Sequence, residues 1–240
     1  MTKTLFFDTE TSDLLKKGKP NSHPDQPHMA QLAFILYDEK TKIEINSGKF
    51  YIKPEGWKMG YYASQVNGLT DEFLESNGLP LKQVVTLFNS CLKLADSVVA
   101  HNLEFDLNIL EIAGIRSKTK IKWPAKQLCT MKASTHICQL PMKNRKKFKF
   151  PKLKEAYHYF FNVEFDNAHD AMADIRATKD IFHKLRQLET VNQIKFKNLE
   201  GLVDYEYKKV ILEDLFWSEE GPNDWIRETI AEIAKNPRTN

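Results

Sequence analysis

Cysteine is scarce, long apolar runs are absent, and neither sign of charge dominates. The three cysteines, Cys91, Cys129 and Cys138, are odd in number and include no close pair. A disulfide framework and a zinc site are both disfavoured, and an intracellular, reducing, cytoplasmic setting fits best. No apolar run approaches membrane-spanning length. The N-terminal run is too short for a signal peptide. The net charge of +3 on 240 residues says little about partners, and no internal repeat is visible. What is present is an ordinary globular composition, 42% hydrophobic and 28% charged, enough to bury a sizeable core.

The organising stretch is Leu5-Phe6-Phe7-Asp8-Thr9-Glu10-Thr11. Its aromatic and β-branched residues predict a strand. Side chains alternate with period two. Asp8 and Glu10 therefore share a face with Phe6, while Leu5, Phe7 and Thr9 point the other way. Two like charges on an apolar face repel, and desolvation sharpens the repulsion. A hard divalent cation with oxygen ligands is the natural counter-charge. The alternative is a strand ending at Phe7, with both acids solvated.

Ser12 to His28 holds three prolines and reads as a long loop, either over a substrate or as a surface excursion. Met29 to Tyr37 and Ile43 to Ile52 read as a hairpin around Asp38–Lys42. Helical patterning starts at Tyr61, with breaks at Gly68 and at Gly78-Leu79-Pro80. Leu81 to Ala95 is an amphipathic helix. Ser97–Ala100 is a short strand candidate. The next helix runs to about Ala113 and is closed by Gly114. On it Asp106 shares a face with Ile109, Leu110 and Ala113, an expensive place for an acid without a partner or a metal.

Lys143 to Lys152 interleaves six basic residues, Lys146, Lys147 and Lys149 among them, with Phe148 and Phe150. Charge beside aromatics suits a nucleic-acid strand, and a solvated surface loop is the bland alternative. Leu153 to Phe161 is helical. Asp170 is an N-cap for a helix reaching Leu188. Its stripe of Ala171, Thr178, Ile181, Leu185 and Leu188 carries Asp174, and His169 precedes it on a turn. Three elements thus place acids on apolar faces, and one site where four carboxylates converge on metal is the economical reading. An all-oxygen set suits Mg²⁺ or Mn²⁺ rather than zinc.

Three segments carry a family likeness: Phe7-Asp8-Thr9-Glu10-Thr11, then Val99 to Asp106, then His169 to Asp174. With Gln31-Leu32-Ala33, Ile52-Lys53-Pro54 and Asn67-Gly68-Leu69-Thr70 between them, the chain resembles the DEDDh (DnaQ-like) 3′–5′ exonucleases, a group that includes polymerase proofreading subunits and ribonuclease T. The family often has His where Asn67 stands. The resemblance covers roughly Thr4 to Leu188. It implies a ribonuclease H-like α/β fold, a mixed five-stranded sheet flanked by helices. It implies two divalent cations held by Asp8, Glu10, Asp106 and Asp174, with His169 as the general base. It also implies substrate contacts at Thr9, Thr11, Asn67, Asn102 and Phe105. The expected activity is hydrolysis from the 3′ end of single strands, releasing nucleoside 5′-monophosphates. Closeness to proofreading-type enzymes favours DNA over RNA. An exoribonuclease and a non-catalytic nucleic-acid-binding or interaction subunit are the alternatives.

Residues 1–188 form the expected exonuclease domain, and 189–240 a helical C-terminal extension. Val203, Val210, Ile211, Leu215, Phe216 and Trp217 form one apolar set in that extension. Trp225, Ile226, Ile230 and Ile233 form a second stripe between Pro222 and Pro237. Each needs to bury a face, against the core or against a polymerase or a second copy of the chain.

Overall fold

The N-terminal apolar run forms a strand that continues through both acids to Thr11, so the reading in which it stops at Phe7 is set aside. A computed structural model describes residues 2–142, 148–164 and 170–190, and the backbone of 195–196 and 205–206. In chain order the elements are β1 (Lys3–Thr11), β2 (Met29–Asp38), β3 (Ile43–Tyr51), α1 (Tyr61–Asn67), α2 (Asp71–Asn77), α3 (Leu81–Leu92), β4 (Ser97–Ala100), α4 (Leu103–Ser117), β5 (Lys126–Cys129), α5 (Thr130–Cys138), α6 (Leu153–Phe161) and α7 (Ala171–Thr190). Two short strands, β6 (Lys195–Phe196) and β7 (Tyr205–Glu206), pair antiparallel in the tail. The apolar stripes expected at 203–217 and 225–233 lie outside the described residues, apart from the backbone of 205–206.

The main sheet has five strands in the order β3-β2-β1-β4-β5. β1 pairs antiparallel with β2 and parallel with β4, so the sheet is mixed. Period-two alternation along β1 assigns its two faces. Leu5 and Phe7 pack with Val84, Val85 and Phe88 of α3 and with Ile109 and Leu110 of α4. Phe6 packs the other way, on Ile175 and Phe182 of α7, its ring centroid 5.4 Å from that of Phe182. Burying each such aromatic or aliphatic side chain contributes about 2 kcal/mol before entropy is counted. β1 is therefore clamped between α4 and α7, the two helices that carry the other acids. α5 and α6 extend the α7 layer through Ala133, Phe160, Ile181 and Leu185.

The helix breaks fall where the glycines place them, between α1, α2 and α3. Gly114 differs from expectation. It lies inside α4, which runs on to Ser117 and is capped by Lys118 in the left-handed region at φ 54. A Cβ at Gly114 would sit 2.8 Å from the Thr119 carbonyl. Gly114 is thus small because the chain folds back against it, not because it ends the helix. Three cysteines, each free, are buried. No described helix is long and apolar enough to cross a membrane.

Candidate active site

The end of β1 brings the acids together. The β1–β2 register shifts between Glu10 and Thr11: Glu10 faces Gln31, but Thr11 faces Met29. One residue of β2, Ala30, is left over, and such bulges re-aim the side chains around them. Asp106, in the first turn of α4, reaches β1 from the Leu5 and Phe7 face. Its Oδ1 accepts the Thr9 backbone N–H at 2.9 Å and the Thr9 hydroxyl at 2.7 Å. At 1% exposure, Asp106 is the buried acid on an apolar face that demanded a partner, and Thr9 supplies it.

The carboxyls near the end of β1 feel one another's charge. Burial pushes the Asp8 carboxyl well above the usual carboxylate range, and the charges of Asp106, Glu10 and Asp174 push it further. Burial also raises Asp106, to about 7. The two Thr9 hydrogen bonds pull it back, and Glu10 pushes it up again. Elements from both faces of the sheet thus bring the charges of Glu10, Asp106 and Asp174 to bear on Asp8. Among the described residues no three His, Cys, Asp or Glu side chains close into a finished metal cage. What the fold assembles is concentrated negative charge from all-oxygen donors, which fits hard divalent cations.

Asp174 is placed by the start of α7. Asp170 caps that helix as expected: its Oδ1 accepts the N–H groups of Met172 at 3.0 Å and Ala173 at 3.1 Å. Lys49 of β3 adds an ion pair at 2.9 Å to the other Asp170 oxygen, and that contact holds the Asp170 carboxyl below its ordinary value. Nothing in the sequence pointed to Lys49. Its register does: Asp8 pairs with Ala33, and Ala33 with Lys49. Cross-strand partners leave the sheet on one face, so Lys49 shares the face of Asp8.

Thr9 spends its hydroxyl on Asp106, and Thr11 donates its hydroxyl to the Asp13 carbonyl at 2.8 Å. Asn67 donates to the Thr11 carbonyl at 3.3 Å and accepts from the Leu69 N–H at 3.1 Å, tying α1 to β1. Asn102 sits at φ 74 before α4, a conformation Asn tolerates. Phe105 is partly buried against the core. Lys149 pairs with Glu155 at 2.5 Å. Phe148 and Phe150 are exposed, Phe148 meeting His136 edge-on. His169, Lys146 and Lys147 lie outside the described residues.

Two further devices support the site. The Ser12–His28 loop is fastened rather than free. Arg116 of α4 donates to the carbonyls of Pro24, Gln26 and Pro27, and Asn21 donates to Asn108 and Glu111. His101, between β4 and α4, contacts the Thr130 hydroxyl at 2.9 Å through Nδ1. Its Nε2 donates to the Pro151 carbonyl at 3.0 Å. Burial lowers its pKa to about 4, so it stays a neutral clip between the second acidic segment and the chain leaving the basic run. His101 lies inside the Val99–Asp106 segment, the one signal that marks it in the sequence.

The family model for exonucleases matches residues 5–182. No curated protein matches the sequence. Several solved structures share the fold. E. coli exonuclease I, in a zinc-bound form with single-stranded DNA, is 21% identical with a TM-score of 0.60, covering 80% of this chain and 42% of that one. The same enzyme with a dA16 oligonucleotide is 20% identical with a TM-score of 0.58, covering 82% and 46%. The nuclease domain of 3′hExo, a DEDDh family member bound to rAMP, is 15% identical with a TM-score of 0.58, covering 85% and 97%. This chain spans less than half the length of those exonuclease I chains. Exonucleases of this kind use divalent metal ions.

Proposed function

The chain belongs to the exonuclease family, and we propose that it hydrolyses single-stranded nucleic acid in the 3′ to 5′ direction, DNA in preference to RNA, releasing nucleoside 5′-monophosphates. The observation that carries this reading is the environment of Asp8, whose carboxyl is held up by burial and by the charges of Asp106, Glu10 and Asp174. A fold that gathers four like charges spends stability to do so, and a cationic ligand offsets that cost.

Asp8, Glu10, Asp106 and Asp174 would hold two divalent cations, Mg²⁺ or Mn²⁺. Cations bound there supply positive charge to offset what builds up on the phosphate and on the leaving 3′ oxygen. The chain's own residues do the rest. Thr9 fixes the direction in which Asp106 presents its carboxylate. Asp170 and Lys49 fix the first turn of α7, and with it Asp174. His169, immediately before Asp170, takes the proton from the attacking water. Its ordinary pKa near neutrality suits that task. The bond between phosphorus and the 3′ oxygen of the penultimate nucleotide breaks, leaving a shortened strand and a free 5′-monophosphate.

DNA-bound exonuclease I among the fold neighbours supports the DNA preference, while rAMP-bound 3′hExo keeps an exoribonuclease as the second reading. The test is matched DNA and RNA strands, labelled at either end, incubated with Mg²⁺, with Mn²⁺ and with EDTA. Loss of nucleotides from the 3′ end only, faster on DNA and stopped by EDTA, is expected. Cleavage from the 5′ end, or activity in EDTA, overturns the reading. Faster loss of RNA selects the exoribonuclease.

A further inference from the structure

α1 buries none of its residues. Tyr61 and Tyr62 open it at 73% and 83% exposure. Two adjacent tyrosines so far out of a core, on a helix with no face to bury, have no packing role to explain them. Their rings meet edge to face at 5.5 Å and 77°. The ring that presents its edge therefore keeps its flat faces free.

The helix is nevertheless held firmly, and what holds it is the end of β1. The Gly60 N–H donates to the Ser12 carbonyl at 2.8 Å. A Cβ at Gly60 would stand 2.8 Å from that same carbonyl oxygen, so the close approach requires glycine. At the other end Asn67 donates to the Thr11 carbonyl. Met59 and Leu69, flanking the helix, anchor in a cluster with Ala30 and Leu74. Thr11 is the residue after Glu10, about 3.3 Å further along the strand. α1 itself carries no charged residue, and the exposed Lys58 precedes it. Nothing on the helix repels a phosphate backbone.

We propose that Tyr61 and Tyr62 form a base-stacking platform for nucleotides upstream of the scissile bond, feeding a single strand to the carboxylates; this rests on the exonuclease reading above. The chemistry is the general one for sequence-tolerant strand binding: each base has a π-face, and an aromatic side chain stacks on any of them. Stacked bases along one strand rise about 3.4 Å each. A helix bonded to the residues just beyond Glu10 therefore lies within a few nucleotides of the reacting end. The platform would make affinity depend on strand length and on the presence of bases rather than on their identity.

The test compares the full chain with Tyr61→Ala/Tyr62→Ala and with Tyr61→Phe/Tyr62→Phe. Each binds a long oligothymidylate strand, the same strand made abasic upstream of its 3′ end, and a dinucleotide. Binding is read by fluorescence anisotropy in EDTA, and turnover in Mg²⁺. The alanine pair should weaken binding of the long strand about tenfold or more, with a smaller loss on the dinucleotide. The phenylalanine pair should keep long-strand affinity. The native chain should bind the abasic strand about as weakly as the alanine pair binds the intact one. Unchanged affinity of the alanine pair overturns the platform and leaves the rings to another partner, such as a protein surface. So does an equal loss on the dinucleotide and the abasic strand. Failure of the native chain to shorten any strand refutes the exonuclease reading, while the anisotropy comparison still decides the platform.

Discussion

Thr9 holds Asp106 through a single oxygen: the backbone N–H at 2.9 Å and the hydroxyl at 2.7 Å both end on Oδ1. A strand residue lying between two acids thus fastens the acid of a helix, joining α4 to β1 where the charges converge. Thr9→Val keeps the shape, the strand preference and the backbone N–H, and removes only the hydroxyl. Groups that orient a ligand carboxylate are worth about 10- to 100-fold in metal affinity or activity. The variant should need a correspondingly higher Mg²⁺ or Mn²⁺ concentration for half-maximal hydrolysis. A metal-dependence curve lying on that of the native chain would show that the hydroxyl is not part of the machinery.

The raised carboxyls of Asp8 and Asp106 contribute to the pH dependence of the metal-free fold. Both hold protons more tightly folded than unfolded. Their contribution to stability is fully present below the unfolded value, about 3.9. It is lost as pH rises through the folded values, which for Asp106 lie at about 7. In EDTA these two carboxyls therefore take stability away between mildly acidic and neutral pH. His28 and His101, each held at about 4 by burial, add it over the same range. The carboxyl effect is therefore read as the difference between the native chain and a variant. Asp8→Asn, which removes one of the converging charges, should melt higher than the native chain at neutral pH and lose that advantage in acid. Asp8→Ala and Asp174→Ala should abolish hydrolysis while keeping the fold. Melting curves across pH and an Mg²⁺ assay check both; near-normal cleavage by either alanine variant would sink the metal-site assignment.

Much of this was legible in the residues. The strand with its two acids, the hairpin and the breaks at Gly68 and Gly78 follow from period and turn chemistry. So does the α7 stripe carrying Asp174. The misses have physical causes. β5 and α5 leave little trace, because β5 is four residues long and opens on Lys126 and Gln127, too short for an alternation to register. Gly114 has the composition of a helix stop and the environment of a close approach, which only the path of Thr119 reveals. Lys49 and Arg116 act across 121 and about 90 residues of sequence, and no local pattern encodes a partner so remote.

Lys49 should matter through its charge on Asp170. Both side chains are partly exposed, so the pair is worth under about 1 kcal/mol in stability, and its effect belongs to placement of the first turn of α7. Lys49→Met should lower turnover a few-fold and raise the metal concentration for half-maximal hydrolysis, and Asp170→Asn should do the same. The double variant should be no worse than either single one, as residues acting through one ion pair are not additive. Losses that multiply would mean that Lys49 acts on something other than Asp170.

His169→Ala should retain metal binding and lower turnover by about two to four orders of magnitude, the usual worth of a general base. A base must be unprotonated to act. Turnover by the native chain should therefore rise with pH as the imidazole loses its proton and level off above that, and the variant should lose that inflection. Metal titration and a pH–rate profile check the two halves. A variant that no longer binds metal would make His169 a ligand instead.

The basic run from Lys143 to Lys152 should bind backbone phosphates, and one of its charges is already committed. Lys149 pairs with Glu155, and its backbone N–H is bonded to the Leu140 carbonyl. Lys146 and Lys147 are then the residues expected to meet the strand. Each single-strand phosphate that a lysine neutralises adds about 0.7 to the steepness of the logarithmic salt dependence. Removing Lys146 and Lys147 should flatten the slope by about 1.4 and raise KM on long strands. Adding Lys149→Ala should flatten it by less than about a further 0.7, because Glu155 already offsets that charge. Metal dependence should be untouched in both combinations. The measurement is strand affinity across a salt series for the double and triple alanine variants. A full step of about 0.7 on removing Lys149 would show that the strand displaces Glu155. An unchanged slope throughout would make the run a solvated loop, with the strand entering elsewhere, along the fastened Ser12–His28 loop.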